Sequence, residues 1–140
     1  PTSVPGVDLE VYELQRESPQ AVLVVFALHV VGSSSIGIGD QTSTQEELDA
    51  NLGTVGGGPG AVSGVSIVDL TGLKQYLPYM SDPTVDSTCL CSQNQFNSAD
   101  SGDVDYFAAV VAAPPAGVTT VSFQTGLGTI GNLPLSGSGR

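Results

Sequence analysis

The stretch Ala21-Val-Leu-Val-Val-Phe-Ala-Leu-His-Val-Val31 decides the fold class of this chain. β-Branched and aromatic residues dominate it, and both of its alternating faces are largely apolar, which is typical of the central strand of a sheet. Alternate residues of a strand share a face. The residues expected on the core face are Val22, Val24, Phe26, Leu28 and Val30. The run is too short to span a bilayer, which needs about 20 residues.

Short strand patterns recur along the rest of the chain, with turn residues between them. Residues 7–12 alternate between apolar and polar side chains, and Arg16 to Gln20 is predicted to form a hairpin turn. Further candidate strands are 61–70, 73–80, 85–92, 103–113, 118–124 and 127–135. This pattern predicts an all-β, antiparallel β-sandwich of seven or eight strands. The side chains expected between its sheets are Phe26, Leu28, Val110 and Phe123.

The segment from Gly32 to Gly60 interrupts the strand pattern with serines, glycines and no long apolar period. Within it, Thr44 and Glu47 have the spacing of a helix capping box, which predicts one short helix from about Gln45 to Asn51. A connection this long in a compact domain is usually functional or mobile. Two hypotheses therefore stay open: the segment carries a specific contact, or it is a mobile insertion.

The chain is predicted to form one domain over residues 1–135, because its length suits a single sandwich. The last five residues, Ser-Gly-Ser-Gly-Arg over 136–140, have the composition of a flexible tail or linker.

The charge of the chain is strongly one-sided, with 14 Asp and Glu against 3 Lys and Arg and a formal net charge of -11. Nucleic acid and anionic lipid are both bound through Lys and Arg, so this balance argues against either as a partner. An acidic surface suits a cation or a basic partner, and it also serves solubility alone.

Cys89 and Cys91 are the only cysteines. Residues i and i+2 of a strand point to the same face, about 6.5 Å apart, near the upper limit for a disulfide. Few Lys and many Ser, Thr and Gly residues are common in exported bacterial proteins. Because such a protein meets an oxidising environment, we expect a disulfide that bends the chain. A redox-active pair is the alternative, and a zinc site is disfavoured because two thiolates without a neighbouring His do not complete a ligand set.

An acidic loop contains Asp100, Asp103 and Asp105 in the run Asp-Ser-Gly-Asp-Val-Asp. Carboxylates at a loop rim can coordinate calcium, although the spacing is not that of an EF-hand. Asp82 and Asp86 could add ligands if the loops meet. The alternative is a solvated acidic rim that blocks edge-to-edge aggregation. Calcium is therefore the one cofactor hypothesis, and otherwise we expect none.

Enzymatic chemistry has little support in this sequence. His29, the only histidine, lies within the apolar strand, opposite the expected core face. No serine occupies a Gly-x-Ser-x-Gly elbow, and the glycine-rich run 56–60 precedes a strand and lacks the Lys-Ser/Thr of a phosphate loop. We therefore expect a chain without catalytic residues, and His29 as a packed or half-exposed strand residue.

Several segments resemble a known family, most specifically Thr88-Cys-Leu-Cys-Ser92 and the strand Tyr106 to Pro115. The chain is similar to the immunoglobulin-like, telokin-like domains of actinobacterial secreted proteins and lipoproteins, of the kind found ahead of OmpA-like domains. The resemblance covers most of the chain and is weakest over 32–60. It implies an immunoglobulin-like sandwich located outside the membrane, secreted or anchored to the envelope.

The function expected from these observations is a non-catalytic interaction or spacer module of the cell envelope. Its partner is an unidentified protein or cell-wall component. The alternative is a calcium-binding, adhesion-like module that uses the acidic loop around Asp100 to Asp105. We expect a monomer without a transmembrane segment of its own, with any tether lying outside this chain.

Overall fold

A computed structural model describes residues 5–31, 62, 64–80, 89–92 and 100–137. These residues form seven strands: β1 (Val7–Arg16), β2 (Ala21–Val30), β3 (Ser66–Asp69), β4 (Lys74–Tyr76), β5 (Val104–Ala112), β6 (Thr120–Thr125) and β7 (Gly128–Pro134). They pair into a three-stranded sheet of order β1-β2-β5 and a four-stranded sheet of order β4-β3-β6-β7. Every pairing is antiparallel, so the predicted all-β sandwich of two antiparallel sheets is confirmed.

The three-stranded sheet is built on the stretch that decides the fold class. β2 lies between β1 and β5, as expected for a central strand. Its alternate residues from Val22 to Val30 are buried, which confirms the predicted core face. β1 carries a bulge at Tyr12, since Val11 pairs with Phe26 while Glu13 pairs with Val25. A bulge adds one residue without a partner and increases the local twist.

The core between the sheets contains a cluster of three phenylalanines. The ring of Phe26 lies 5.3 Å from that of Phe107 and 5.0 Å from that of Phe123, which joins the two sheets. Phe26, Leu28 and Phe123 are completely buried, as predicted.

The prediction that Val110 is buried between the sheets is wrong. Phe107, Ala109 and Val111 supply the inward face of β5, and Val110 is only partly buried on the opposite face. The sequence of β5 is apolar at both parities, so its periodicity cannot choose a face. The Phe26–Phe107 pairing in the register of β2 and β5 makes that choice.

Two boundaries differ from their predictions. Arg16 is the last residue of β1 and is buried, so the hairpin turn contains only Glu17 to Gln20. Ser136, predicted to begin the tail, receives a hydrogen bond from the Arg16 amide and donates one to the Leu14 carbonyl, so the ordered chain continues into 136–137. The predicted helix at 45–51 lies outside the described residues, as do 138–140.

Two short segments cover the free edge of β5. We call them the edge segments: residues 77–80 and 89–92. Val110 accepts a hydrogen bond from the Tyr79 amide at 2.9 Å and donates one to the Leu90 carbonyl at 2.8 Å. The predicted strand at 73–80 is thus divided into β4 and an edge segment, with Pro78 bridged to Val111.

Candidate functional site: the outer face of the three-stranded sheet

The outer face of the three-stranded sheet follows from its register. Directly paired residues share a face, so the residues of β2 that alternate with the core set lie outward with their partners. These residues are Ala21, Leu23, Val25, Ala27 and His29 of β2, and Val104, Tyr106, Ala108, Val110 and Ala112 of β5. Apart from His29 and Tyr106, the outer face is therefore aliphatic along two adjacent strands.

Two tyrosines lie on this face near the bulge. The rings of Tyr12 and Tyr106 are 5.4 Å apart at an interplanar angle of 59°, a tilted aromatic contact. They are 55% and 62% exposed, while Ala27, paired with Tyr106, is fully buried. The pair therefore offers aromatic area to a partner.

The side of the outer face formed by β1 is acidic. We call Asp8, Glu10 and Glu13 the acidic margin, because they pair with His29, Ala27 and Val25 on the same face. The Tyr12 hydroxyl donates a hydrogen bond of 2.7 Å to Glu10, and His29 Nδ1 lies 3.6 Å from the other Glu10 oxygen. The hydrogen bond to Glu10, and then that with Tyr106, raise the pKa of Tyr12 above its ordinary value. Tyr12 therefore stays a neutral donor.

The opposite side of the outer face is extended by the edge segments. Leu77, Tyr79 and Leu90 alternate with Pro78 and Cys91, which bridge to inward residues of β5. The side chains of Leu77, Tyr79 and Leu90 are 56%, 38% and 59% exposed. Tyr79 donates a hydrogen bond of 2.7 Å from its hydroxyl to the Gln20 carbonyl. The apolar area thus continues past β5.

The outer face of the four-stranded sheet has a different composition. Ser66 and Val68 of β3 pair with Gln124 and Ser122 of β6, opposite in parity to the buried Ile67–Phe123 pair. Gln75 of β4 donates a hydrogen bond of 2.9 Å to the Ser66 hydroxyl. Polar side chains thus predominate on this second face, although Ser66 and Ser122 are themselves buried. The contrast within one molecule marks the first face as unusual.

The outer-face residues were not among the predicted site residues. Their signal was present in the sequence, since residues 21–31 and 103–113 are apolar at both parities. Such a strand needs cover on two sides. The pattern predicts burial on both sides of the strand, whereas among the described residues the second sheet packs against the inner side alone.

Cys89 and Cys91 lie in the second edge segment, where the chain bends at Leu90. Their sulfur atoms are in bonding contact, and their Cα atoms are 5.2 Å apart, within the usual range for a disulfide. Cys91 packs partly buried against the core and bridges to Ala109. The geometry is compatible with the predicted disulfide, whose formation in the protein stays a prediction.

The acidic loop is organised by its own hydrogen bonds. The Asp103 carboxylate accepts a bond of 2.7 Å from the Asp100 amide, and the Asp103 amide donates one of 2.9 Å to the Asp100 carbonyl. Asp105 is half-buried, and burial, followed by the charge of Asp103, raises its pKa. Among the described residues no three His, Cys, Asp or Glu side chains are placed to hold a metal ion. Asp82 and Asp86 lie outside those residues, so the calcium hypothesis stays a prediction.

The remaining candidates are His29 and a cleft in the four-stranded sheet. His29 is a half-exposed strand residue on the outer face, beside the Glu10 carboxylate. A cleft of about 270 Å³ lies at the end of the four-stranded sheet, lined by Leu70, Thr71, Thr120, Val121, Ser122 and Asn132. None of these lining residues titrates near neutral pH. The cleft therefore offers hydroxyl and amide groups but no general acid or base.

No family model, no curated protein and no solved structure matches this chain. In the described part of the chain, no helix is long and apolar enough to cross a bilayer.

Proposed function

We propose that this chain is a non-catalytic interaction module of the cell envelope, held outside the membrane, which binds a partner through the outer face of β1-β2-β5. The observation that carries the proposal is the difference between the two outer faces of the sandwich. One is polar, while the other presents aliphatic side chains with Tyr12 and Tyr106. Tyr12, Tyr106 and the edge segments supply the exposed area, while the aliphatic side chains between them are partly or fully buried. Exposed apolar patches are typical of interaction surfaces.

The strand order supports an immunoglobulin-like version of the sandwich. In the immunoglobulin constant type, the first, second and fifth strands share a sheet, and the third, sixth and seventh share the other. The same assignment holds for β1, β2 and β5 and for β3, β6 and β7. The fourth strand differs. In the constant type it pairs with the fifth strand, whereas β4 pairs with β3. The edge segments occupy the place beside β5 instead.

The location outside the membrane rests on the composition and on the family resemblance. The chain has few Lys and Arg, and its two cysteines lie in disulfide-compatible geometry. The calcium-binding alternative is supported by the charge of Asp103 beside Asp105, which contributes, after burial, to the raised pKa of Asp105 and which a cation would offset.

The test compares capture of envelope proteins by the intact chain and by two variants. Leu23→Ser with Val110→Ser removes aliphatic side chains from the outer face. Val68→Ser, on the polar outer face, is the matched control. We expect the double variant to lose the partners that the intact chain and the control retain, with circular dichroism verifying that each is folded. If all three proteins retain the same partners, the outer face is not the binding surface. If none of them captures a partner, a spacer role is favoured.

A further inference from the structure

The dimensions of the outer face limit what can cover it. Three strands about 4.8 Å apart span about 10 Å between the outermost backbones, which is close to the 10–12 Å diameter of an α-helix with its side chains. The aliphatic rows of β2 and β5 run side by side along these strands. One helix lying along the sheet would therefore cover both rows.

The distribution of charge specifies the sides of that helix. Asp8, Glu10 and Glu13 follow β1 on the same face, parallel to the aliphatic rows. A segment that packs its apolar side on β2 and β5 brings one flank over these carboxylates. Lys or Arg on that flank would meet opposite charge, whereas Asp or Glu would meet like charge. The complementary ligand is thus apolar on one side and basic beside it.

Other occupants of the face fit these observations less well. A second copy brings its own net charge of -11 to an already acidic surface, which self-repulsion opposes. Anionic lipid is repelled for the same reason. A saccharide needs hydrogen-bonding groups, and Leu23, Val25 and Val110 in the middle of the face have none on their side chains.

We propose that the outer face binds a cationic amphipathic α-helix of another protein, with the apolar side of the helix on β2 and β5 and its Lys and Arg residues over the acidic margin. This inference rests on the proposed interaction function and names the chemistry of the partner. The Tyr12–Tyr106 pair joins β1 to β5 across the row of β2, and Tyr106 pairs with the buried Ala27. Tyrosines in that position contribute apolar area with little loss of side-chain freedom.

The test uses the full chain and three synthetic peptides of about five helical turns, or about 18 residues. The first is a Leu/Lys peptide with leucines at helical spacing, the second replaces every Lys by Glu, and the third scrambles the first at constant composition. Affinity is measured by titration calorimetry at low and at physiological ionic strength. We expect the Leu/Lys helix to bind, the Leu/Glu helix not to bind, and the scrambled peptide to bind at least about tenfold more weakly.

Variants of the chain assign the binding to the face. Glu10→Gln with Glu13→Gln should weaken binding about tenfold at low salt and flatten its salt dependence. Tyr106→Ser, at an exposed side chain that can be removed without unfolding the core, should weaken binding at both salt concentrations. Glu17→Gln in the hairpin turn and Val68→Ser on the polar face are the controls, and both should bind like the intact chain.

Several results would overturn the proposal. Equal binding of the Leu/Lys peptide and its scrambled version would indicate charge attraction alone. Unchanged binding of the Leu/Lys peptide by Tyr106→Ser would show that the peptide does not bind the outer face. A concentration-dependent dimer in sedimentation, competed by no peptide, would identify a second copy as the occupant. No binding of the Leu/Lys helix, together with face-dependent capture from envelope extract, would refute the cationic helix and leave the interaction function standing. If the peptide does not bind and the capture experiment finds no face-dependent partner, both the cationic-helix proposal and the interaction function are refuted.

Discussion

Asp105 is a half-buried carboxyl at the start of β5, beside the exposed Asp103. Burial, and then the charge of Asp103, raise its pKa above the ordinary value of 3.8. The protonated carboxyl stabilises the fold fully below 3.8, and this contribution is lost as the pH rises through the raised pKa. Asp105→Asn should therefore raise the urea midpoint at neutral pH and lose this advantage below pH 3.8. Glu17→Gln, in the exposed turn, is the control, and an equal effect of the two variants would contradict the assignment.

The same variant distinguishes the calcium hypothesis. A ligand that binds only the native state must stabilise it. If the acidic loop binds calcium, millimolar calcium will raise the melting temperature of the intact chain, and Asp105→Asn will reduce that shift. A melting temperature that calcium leaves unchanged removes the calcium-binding alternative.

The burial of Arg16 is a feature that the sequence does not reveal. Its position beside Ser18-Pro19 indicated a turn, yet the side chain is buried and only 6% exposed. Its guanidinium donates hydrogen bonds to the carbonyls of Pro114, at 2.7 Å, and Pro115, at 3.3 Å. These partners are 98 and 99 residues away along the chain. A local pattern carries no information about such distant carbonyls, whereas the alternation in β2 carries enough to define the core face.

Among the elements, the second edge segment is the one that the cysteine pair modifies. A disulfide between Cys89 and Cys91 closes a loop so short that its effect on the unfolded chain is small, about 1–2 kcal/mol. We expect Cys89→Ser with Cys91→Ser to lower the free energy of unfolding by no more than this. Thiol titration of the intact chain under denaturing, non-reducing conditions should find no free thiol.

The same experiment reports on the partner of each cysteine. A monomer on a non-reducing gel agrees with pairing inside the chain. A covalent dimer that reductant separates would show that the cysteines pair between chains instead.

Strand existence was predictable for most elements, because each has a clear apolar pattern bounded by Gly, Pro or Asp. The choice of face was predictable for β2, where the histidine marks the outer parity. For β5 it was not, since Val110 and Val111 are chemically identical and only the register with β2 separates them. The candidate site could not be found from the sequence for the same reason, because which apolar strand face turns away from the core is a property of the assembled sheets.

At the scale of the whole molecule, the chain crosses from one sheet to the other just after β7. β7 belongs to the four-stranded sheet, but Ser136, just beyond it, bridges to Gln15 of β1 in the three-stranded sheet. Gly137 follows with a φ of 86° beside the Arg16 backbone, a conformation that favours glycine. The chain thus links the edges of both sheets at this point.

This crossing makes the predicted domain end at residue 135 testable. A chain ending at Leu135 loses the hydrogen bonds from the Ser136 amide to Leu14 at 2.9 Å and from the Arg16 amide to Ser136 at 2.8 Å. It also loses the 2.9 Å bond from the Ser136 hydroxyl to Leu14. At about 0.5–1.5 kcal/mol for each of the three hydrogen bonds, the free energy of unfolding should fall by about 1.5–4.5 kcal/mol.

The matched control is a chain ending at Gly137, which keeps these three bonds and should unfold at the urea midpoint of the full chain. Ser136→Ala removes only the hydrogen bond of the hydroxyl group, and its urea midpoint should lie between those of the two truncated chains. Equal midpoints for the chains ending at 135 and 137 would mean that Ser136 contributes nothing, and the domain would then end at 135 as first predicted. A loss confined to the shorter chain instead places the last stabilising contact between the two sheets at Ser136.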